Sequence, residues 1–190
     1  MASASRPVIL VFGDSLSAGY GLPAGTAWPN LLQQRLKRQE LNYNVINVSI
    51  SGETTAGGRS RLANDLKRHK PHILILELGS NDGLRGLPLS QCEDNMAYMI
   101  RLAQQSGVEK VLLVGARIPP NYGVYADQFA ALFPRLARKF DLPLVDFLLA
   151  KIATDPKMFL ADGIHPTAVA QPILLETVWE KLQVFFTAGN

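Results

Sequence analysis

Ser15, Asp162 and His165 are the residues whose types and spacing could do covalent chemistry. Ser15 follows a run of five apolar residues, Val8 to Phe12, that is cut off by Gly13-Asp14-Ser15. A serine hydroxyl is a poor nucleophile at neutral pH and needs a base within hydrogen-bond reach, oriented by a third group. The chain offers three histidines. His69 and His72 flank Pro71 at a strand entry, which puts them at the far edge of any sheet that Ser15 leaves. His165 stands in the short polar stretch Ala161-Asp162-Gly163-Ile164-His165-Pro166, and one tight turn would bring the Asp162 carboxylate to its imidazole. The plainer alternative is that Asp162 only forms the turn and His165 only caps a helix. Acyl transfer also needs donors for the negative oxygen of its intermediate, each worth about 3 kcal/mol in the transition state. Gly52 can offer an unobstructed backbone N–H and Asn81 a side-chain amide; each alone reads more readily as an ordinary turn residue, and together, at matching strand ends, they favour function.

These residues need a scaffold that gathers them. Val8–Phe12 has the pattern of a buried strand, and Gly13 is expected to let the backbone turn without a Cβ clash. A loop through Thr26 follows, then a helix from about Trp28 with Leu31, Leu32 and Leu36 on one face and Pro29 in its first turn. Tyr43–Val48 reads as a second strand. The next helix carries Leu62, Ala63 and Leu66 on one side and ends in Lys67-Arg68-His69-Lys70. Ile73–Leu78 is nearly continuously apolar, as a strand covered on both faces of a parallel sheet would be. Ser90 and Glu93 predict a capping box, opening a helix with Met96, Met99, Ile100 and Ala103 as its core stripe. Val111–Val114, a helix over about 125–140 interrupted or bent near Pro134, a short strand at 142–145, a mixed stretch over 147–160 and a last helix over about 168–186 complete the chain. The alternation predicts a three-layer α/β/α sandwich on a flavodoxin-like parallel five-stranded sheet in the order 2-1-3-4-5. In such a sheet Ser15, Gly52 and Asn81 each follow a strand and fall at one edge.

Composition narrows the class. Apolar residues make up 47% and charged residues 18%, which is a globular balance, and 190 residues suit a single domain over 1–190. The net charge of +3 is mild. Its clusters (Arg35, Lys37, Arg38 and Lys67, Arg68, Lys70) sit where helices end, without the interleaved aromatics of a nucleic-acid site. No nucleic-acid partner is expected. Cys92 is the only cysteine, so no intrachain disulfide can form and compartment is not set by redox chemistry. Cys92 reads as a half-buried structural thiol. No stretch reaches the roughly 20 apolar residues of a membrane span, and no stable membrane insertion is expected. Residues 1–6 lack a basic segment followed by an apolar one. They read as a flexible or artificial lead-in, on a mature exported form or on a cytoplasmic protein.

Gly13-Asp14-Ser15-Leu16-Ser17, Gly52 within Ser51-Gly-Glu-Thr, Gly79-Ser80-Asn81-Asp82 and Asp162-Gly-Ile-His165-Pro166 resemble, in order, the four blocks of the SGNH (GDSL) hydrolase superfamily. Leu78–Gly86 and Pro119–Gly123 resemble its bacterial multifunctional thioesterase I/protease I/lysophospholipase subgroup and related arylesterases. The resemblance implies Ser15 as nucleophile and backbone oxyanion donor, Gly52 and Asn81 as the other donors, His165 as base and Asp162 as its orienter. Ser80 departs from the glycine common at that position in the subgroup. The resemblance also implies a mobile lip at Gly83–Gly86 and a periplasmic or secreted location. Leu16, Leu84, Ile118 and Tyr122 are candidates for touching an acyl chain.

The expected function is a lipid-metabolising serine esterase or thioesterase acting on a small-molecule ester or thioester with an acyl or aryl group. It needs no metal or cofactor, and activity is expected to fail below roughly pH 6, where an imidazolium cannot act as base. A carbohydrate acetylesterase of the same superfamily is the alternative. A non-catalytic lipid- or nucleotide-binding module is a third reading, weakened because the chain has no glycine-rich phosphate-binding motif. Chain-length preference, ester-versus-thioester preference and oligomeric state are left open by the sequence.

Overall fold

The computed structural model describes residues 6–187, so most of the expected lead-in, residues 1–5, lies outside the described residues. In chain order the elements are β1 (Val8–Gly13), α1 (Ser15–Ala18), α2 (Trp28–Arg38), β2 (Asn44–Asn47), α3 (Thr55–His69), β3 (Ile73–Glu77), α4 (Ser80–Leu84), α5 (Leu89–Gln105), β4 (Lys110–Val114), α6 (Val124–Phe140), β5 (Leu144–Val145), α7 (Gln171–Leu182) and α8 (Val184–Thr187). All strand pairs are parallel and the order is β2-β1-β3-β4-β5, as the alternation of elements predicts.

The period-two geometry of a strand divides the interior. Leu10 and Phe12 of β1, with Leu74 and Leu76 of β3, point into a core closed by α3, α5 and α6. Ile9 and Val11, with Ile73 and Ile75, point into a second core closed by α2 and α7. Every residue of β3 is buried, which explains its nearly unbroken apolar run. α6 runs continuously through Pro134. The expected interruption is absent because Phe129, Leu132, Phe133 and Leu136 are buried along one face, and that packing outweighs one lost backbone hydrogen bond.

Some local expectations are corrected. α5 starts at Leu89 behind Pro88, with no side-chain cap. The fixed φ of Pro88 starts the helix one residue ahead of Ser90, so the capping box does not form. Ala63 faces solvent on α3. Cys92 is fully buried, and burial holds its thiol up to about 12. The expectation for Gly13 holds, with no positive φ involved. The glycine is needed for space, because a Cβ there would lie 2.6 Å from Glu77 Oε2 and 2.8 Å from Glu77 O.

Two carboxyl groups are sunk into the ends of the central strands. Asp14 is 0% exposed and Glu77 2%. Burial raises Asp14 to about 6. Burial, then the neighbouring charge of Asp14, pushes Glu77 well above the usual carboxylate range. Ionising Asp14 at neutral pH therefore costs the folded state about 3 kcal/mol.

Two tests follow from this packing. A Cβ on Gly115, just past β4, would meet the Asp146 carbonyl oxygen at 2.4 Å, and backbone cannot step aside. Gly115→Ala is expected to lose about 1–3 kcal/mol of stability, read as a lower urea midpoint; an unchanged midpoint contradicts the packing. The raised Asp14 means that the folded state binds more protons than the unfolded chain between about pH 4 and pH 6. Stability drawn from this group therefore falls as pH rises through that window. The unfolding free energy of wild type relative to Asp14→Ser is expected to drop by about 2 kcal/mol from pH 4 to pH 7, and a pH-independent difference would show that Asp14 titrates normally.

Candidate active site

The C-terminal ends of β1, β2, β3 and β4 open onto one edge. Ser15 is the first residue of α1, directly after β1, and the Asp14 carboxylate caps that helix by accepting from Leu16 N at 3.0 Å. The base comes from the other end of the chain. The 158–167 loop is pinned at its neck, with Thr167 N donating to Met158 O at 2.8 Å and Leu160 N to His165 O at 2.8 Å. Gly163, with φ +68°, makes the reversal inside it. Asp162 Oδ1 accepts from Ile164 N at 2.9 Å and His165 N at 3.0 Å, while Oδ2 lies 2.7 Å from His165 Nδ1. Those contacts, the His165 backbone N–H foremost, hold the exposed Asp162 carboxyl down to about 2.

An ionised carboxylate can only accept. The Nδ1 facing it therefore carries the hydrogen, and the Nε2 lone pair is turned toward Ser15 Oγ, 3.0 Å away. The Tyr20 ring lies against the imidazole at 4.4 Å between centroids. Ser15, His165 and Asp162 thus stand in a hydrogen-bonded line capable of drawing a proton from the serine hydroxyl. His69 ends α3 and His72 precedes β3, where its Nδ1 faces Val8 N at 3.4 Å. Both are at the opposite edge of the sheet.

Asn81 sits on α4, immediately beyond β3. Its Nδ2 donates to Glu53 O at 3.0 Å and to Asp14 Oδ2 at 3.2 Å. The next residue anchors that helix: Asp82 accepts from Thr55 N at 2.8 Å and Thr55 Oγ1 at 2.5 Å. Gly52 has φ +79° in the loop after β2. Its carbonyl accepts from Arg85 Nη2 at 3.1 Å, which ties that loop to the end of α4.

A cavity of about 550 Å³ opens beside Ser15, His165 and Asn81. Leu16, Leu84 and Ile118 line it, whereas Gly52 and Tyr122 do not. Tyr122 instead supports the rim, its hydroxyl donating to Leu84 O at 2.8 Å. The Gly83–Gly86 segment, expected as a lip, is half helix, because α4 continues through Leu84. Phe147, Leu149 and Phe159 also line the cavity. The sequence reading missed them because their stretch has no regular period. It also missed Glu77, although a lone acid in Ile-Leu-Ile-Leu-Glu-Leu was a visible signal.

Comparison with known proteins agrees with this geometry. Residues 11–171 match the GDSL-like Lipase/Acylhydrolase family. The chain is 44% identical over 181 residues to Esterase TesA of Pseudomonas aeruginosa, covering 95% of this chain and 90% of that one. It is 39% identical over 182 residues to the Thioesterase 1/protease 1/lysophospholipase L1 of Escherichia coli K12, covering 95% and 86%. Its fold superimposes on a crystal structure of TesA with a TM-score of 0.90 at 44% identity, over 93% of this chain and 98% of that one. With its nucleophile turn and histidine loop inside the matched span, this chain belongs to the GDSL-like lipase/acylhydrolase family.

Proposed function

We propose that this chain is a single-domain serine hydrolase of carboxylic esters and acyl thioesters, working through an acyl-enzyme on Ser15. The observation that carries the reading is the line Ser15–His165–Asp162, at 3.0 and 2.7 Å, beside a largely apolar cavity. The relatives' names, an esterase and a thioesterase/lysophospholipase, support the substrate class.

In this mechanism Ser15 Oγ attacks the carbonyl carbon while His165 Nε2 takes its proton. The carbonyl oxygen gains charge and is received by the Asn81 amide and the backbone N–H groups of Ser15 and Gly52. His165 then hands its proton to the departing alcohol or thiol. Water, deprotonated by the same imidazole, attacks the acyl-serine and releases the acid and Ser15. Asp162 holds the Nδ1–H tautomer and balances the imidazolium. Leu16, Leu84, Ile118 and Phe147 form walls suited to an acyl or aryl group. An acetyl group alone would leave most of the cavity unfilled, which favours longer acyl chains over acetylated sugars. The family resemblance extends the proposal to a periplasmic or secreted location. Among the described residues no helix is long and apolar enough to cross a membrane.

The defining experiment is hydrolysis of p-nitrophenyl esters from acetyl to palmitoyl, alongside acyl-CoA thioesters. Ser15→Ala is expected to lower kcat by about 10⁴-fold or more on every substrate while remaining folded. Retention of wild-type turnover would remove Ser15 from the mechanism. Ile118→Trp is expected to reduce kcat/KM for long-chain esters by about 10–100-fold and to spare the acetyl ester. Equal loss at both lengths would place the acyl chain elsewhere.

A further inference from the structure

The nucleophile turn contains a buried carboxylate that the mechanism above does not use. Asp14 caps α1 with one oxygen, Oδ1 on Leu16 N. A cap needs no more than that, and serine or asparagine supplies it with no buried charge. Its second oxygen, Oδ2, takes a hydrogen from Asn81 Nδ2, across 67 positions of sequence. The other Asn81 amide hydrogen faces Glu53 O at 3.0 Å and is the one left to pass to an oxyanion. The amide is therefore fixed from three directions: its own stem on α4, the loop after β2, and the turn after β1. From beneath, Glu77 Oε2 accepts from Ser17 Oγ at 2.6 Å and from Asp14 N at 3.4 Å, holding the Asp14 backbone in place.

We propose that Asp14 is a positioning residue of this site: its two carboxylate oxygens couple the Ser15 turn to Asn81 and aim the Asn81 amide at the oxygen that develops negative charge. The inference rests on the reading of Asn81 as an oxyanion donor. Only a side chain with two acceptor oxygens at this length satisfies both bonds. Asparagine in the same shape has one acceptor, so it either caps Leu16 and turns its NH2 against the NH2 of Asn81, or meets Asn81 and loses the cap. Burial raises Asp14 to about 6, so the folded chain bears a cost that capping alone does not require. Costs of this kind collect at functional sites.

The test is a double-mutant cycle with Asp14→Asn and Asn81→Ala, measured on one p-nitrophenyl ester. Asp14→Asn is expected to lower kcat about 100-fold, the scale of losing one oxyanion donor, with KM changed less than twofold. If Asp14 acts through Asn81, the double variant is no slower than Asn81→Ala alone. Wild-type kcat in Asp14→Asn overturns the proposal, and so do losses that multiply in the double variant. Should Asn81→Ala itself turn over at the wild-type rate, the donor role of Asn81 falls, and the coupling with it. A slow Asn81→Ala beside a normal Asp14→Asn removes the coupling alone. If Asp14→Asn does not fold, Asp14→Ser, which keeps a cap acceptor but is too short to reach Asn81, enters the same cycle with the same expectations. In the unsubstituted protein, the Asn81 side-chain NH2 hydrogens are expected to exchange slowly with solvent by NMR, and rapid exchange contradicts a fixed orientation.

Discussion

The parallel direction of the strands is the constraint on which the rest of the molecule depends. Because β1, β2, β3 and β4 run the same way, every loop that leaves a strand end leaves at the same edge, and residues remote in sequence become neighbours there. Ser15, Asn81 and the Gly52 loop owe their proximity to this alone. Parallel strands require helical crossovers, and the crossovers bury both faces of the sheet. The two cores therefore make the central strands rigid, and the site is built on the most immobile part of the chain. The one contributor that does not come from a strand end, the 158–167 loop, reaches the same edge just ahead of α7, the helix that covers the sheet.

The architecture was legible in the sequence because its signals are periodic and long. The apolar run of β3 and the helical stripes of α2 and α5 are each set by burial on a known face, and the order of the strands follows from alternation and handedness. The residues of the Ser15–His165–Asp162 line were legible for another reason: few residue types can do the work, and the chain has only one histidine at the right edge. Aperiodic features were not legible. The unbroken run of α6 through Pro134, the missing capping box at Ser90 and the walls supplied by Phe147 and Phe159 all depend on tertiary packing, which overrides local preference. Tyr122 is the instructive case: its motif is right beside the cavity, but its hydroxyl supports Leu84 and its ring stays out of the lining.

The electrostatics divide in two. Asp162 is exposed, richly hydrogen-bonded and held far below the usual range. Asp14 and Glu77 are buried and pushed upward. A single stretch of space around Ser15 thus holds one carboxylate that is always charged and two whose charge the fold resists. The contrast follows from solvent access and donor number, not from residue type. It gives the imidazole a permanent counter-ion on the outer side, while the floor of the site carries charge only at a cost.

The neck of the 158–167 loop has a mechanical consequence. Asp162 binds both the backbone and the ring of His165, so base and orienter form one rigid unit, closed by the loop's own hydrogen bonds. Only one hydrogen bond, from Ser15 Oγ to His165 Nε2, joins that unit's side chains to the nucleophile. Thermal displacement of the loop separates the reacting pair while leaving the imidazole–carboxylate geometry intact. The unit is built like a clutch plate: a displacement would disengage it as a whole and a return would find it already aligned, with no search over side-chain rotamers.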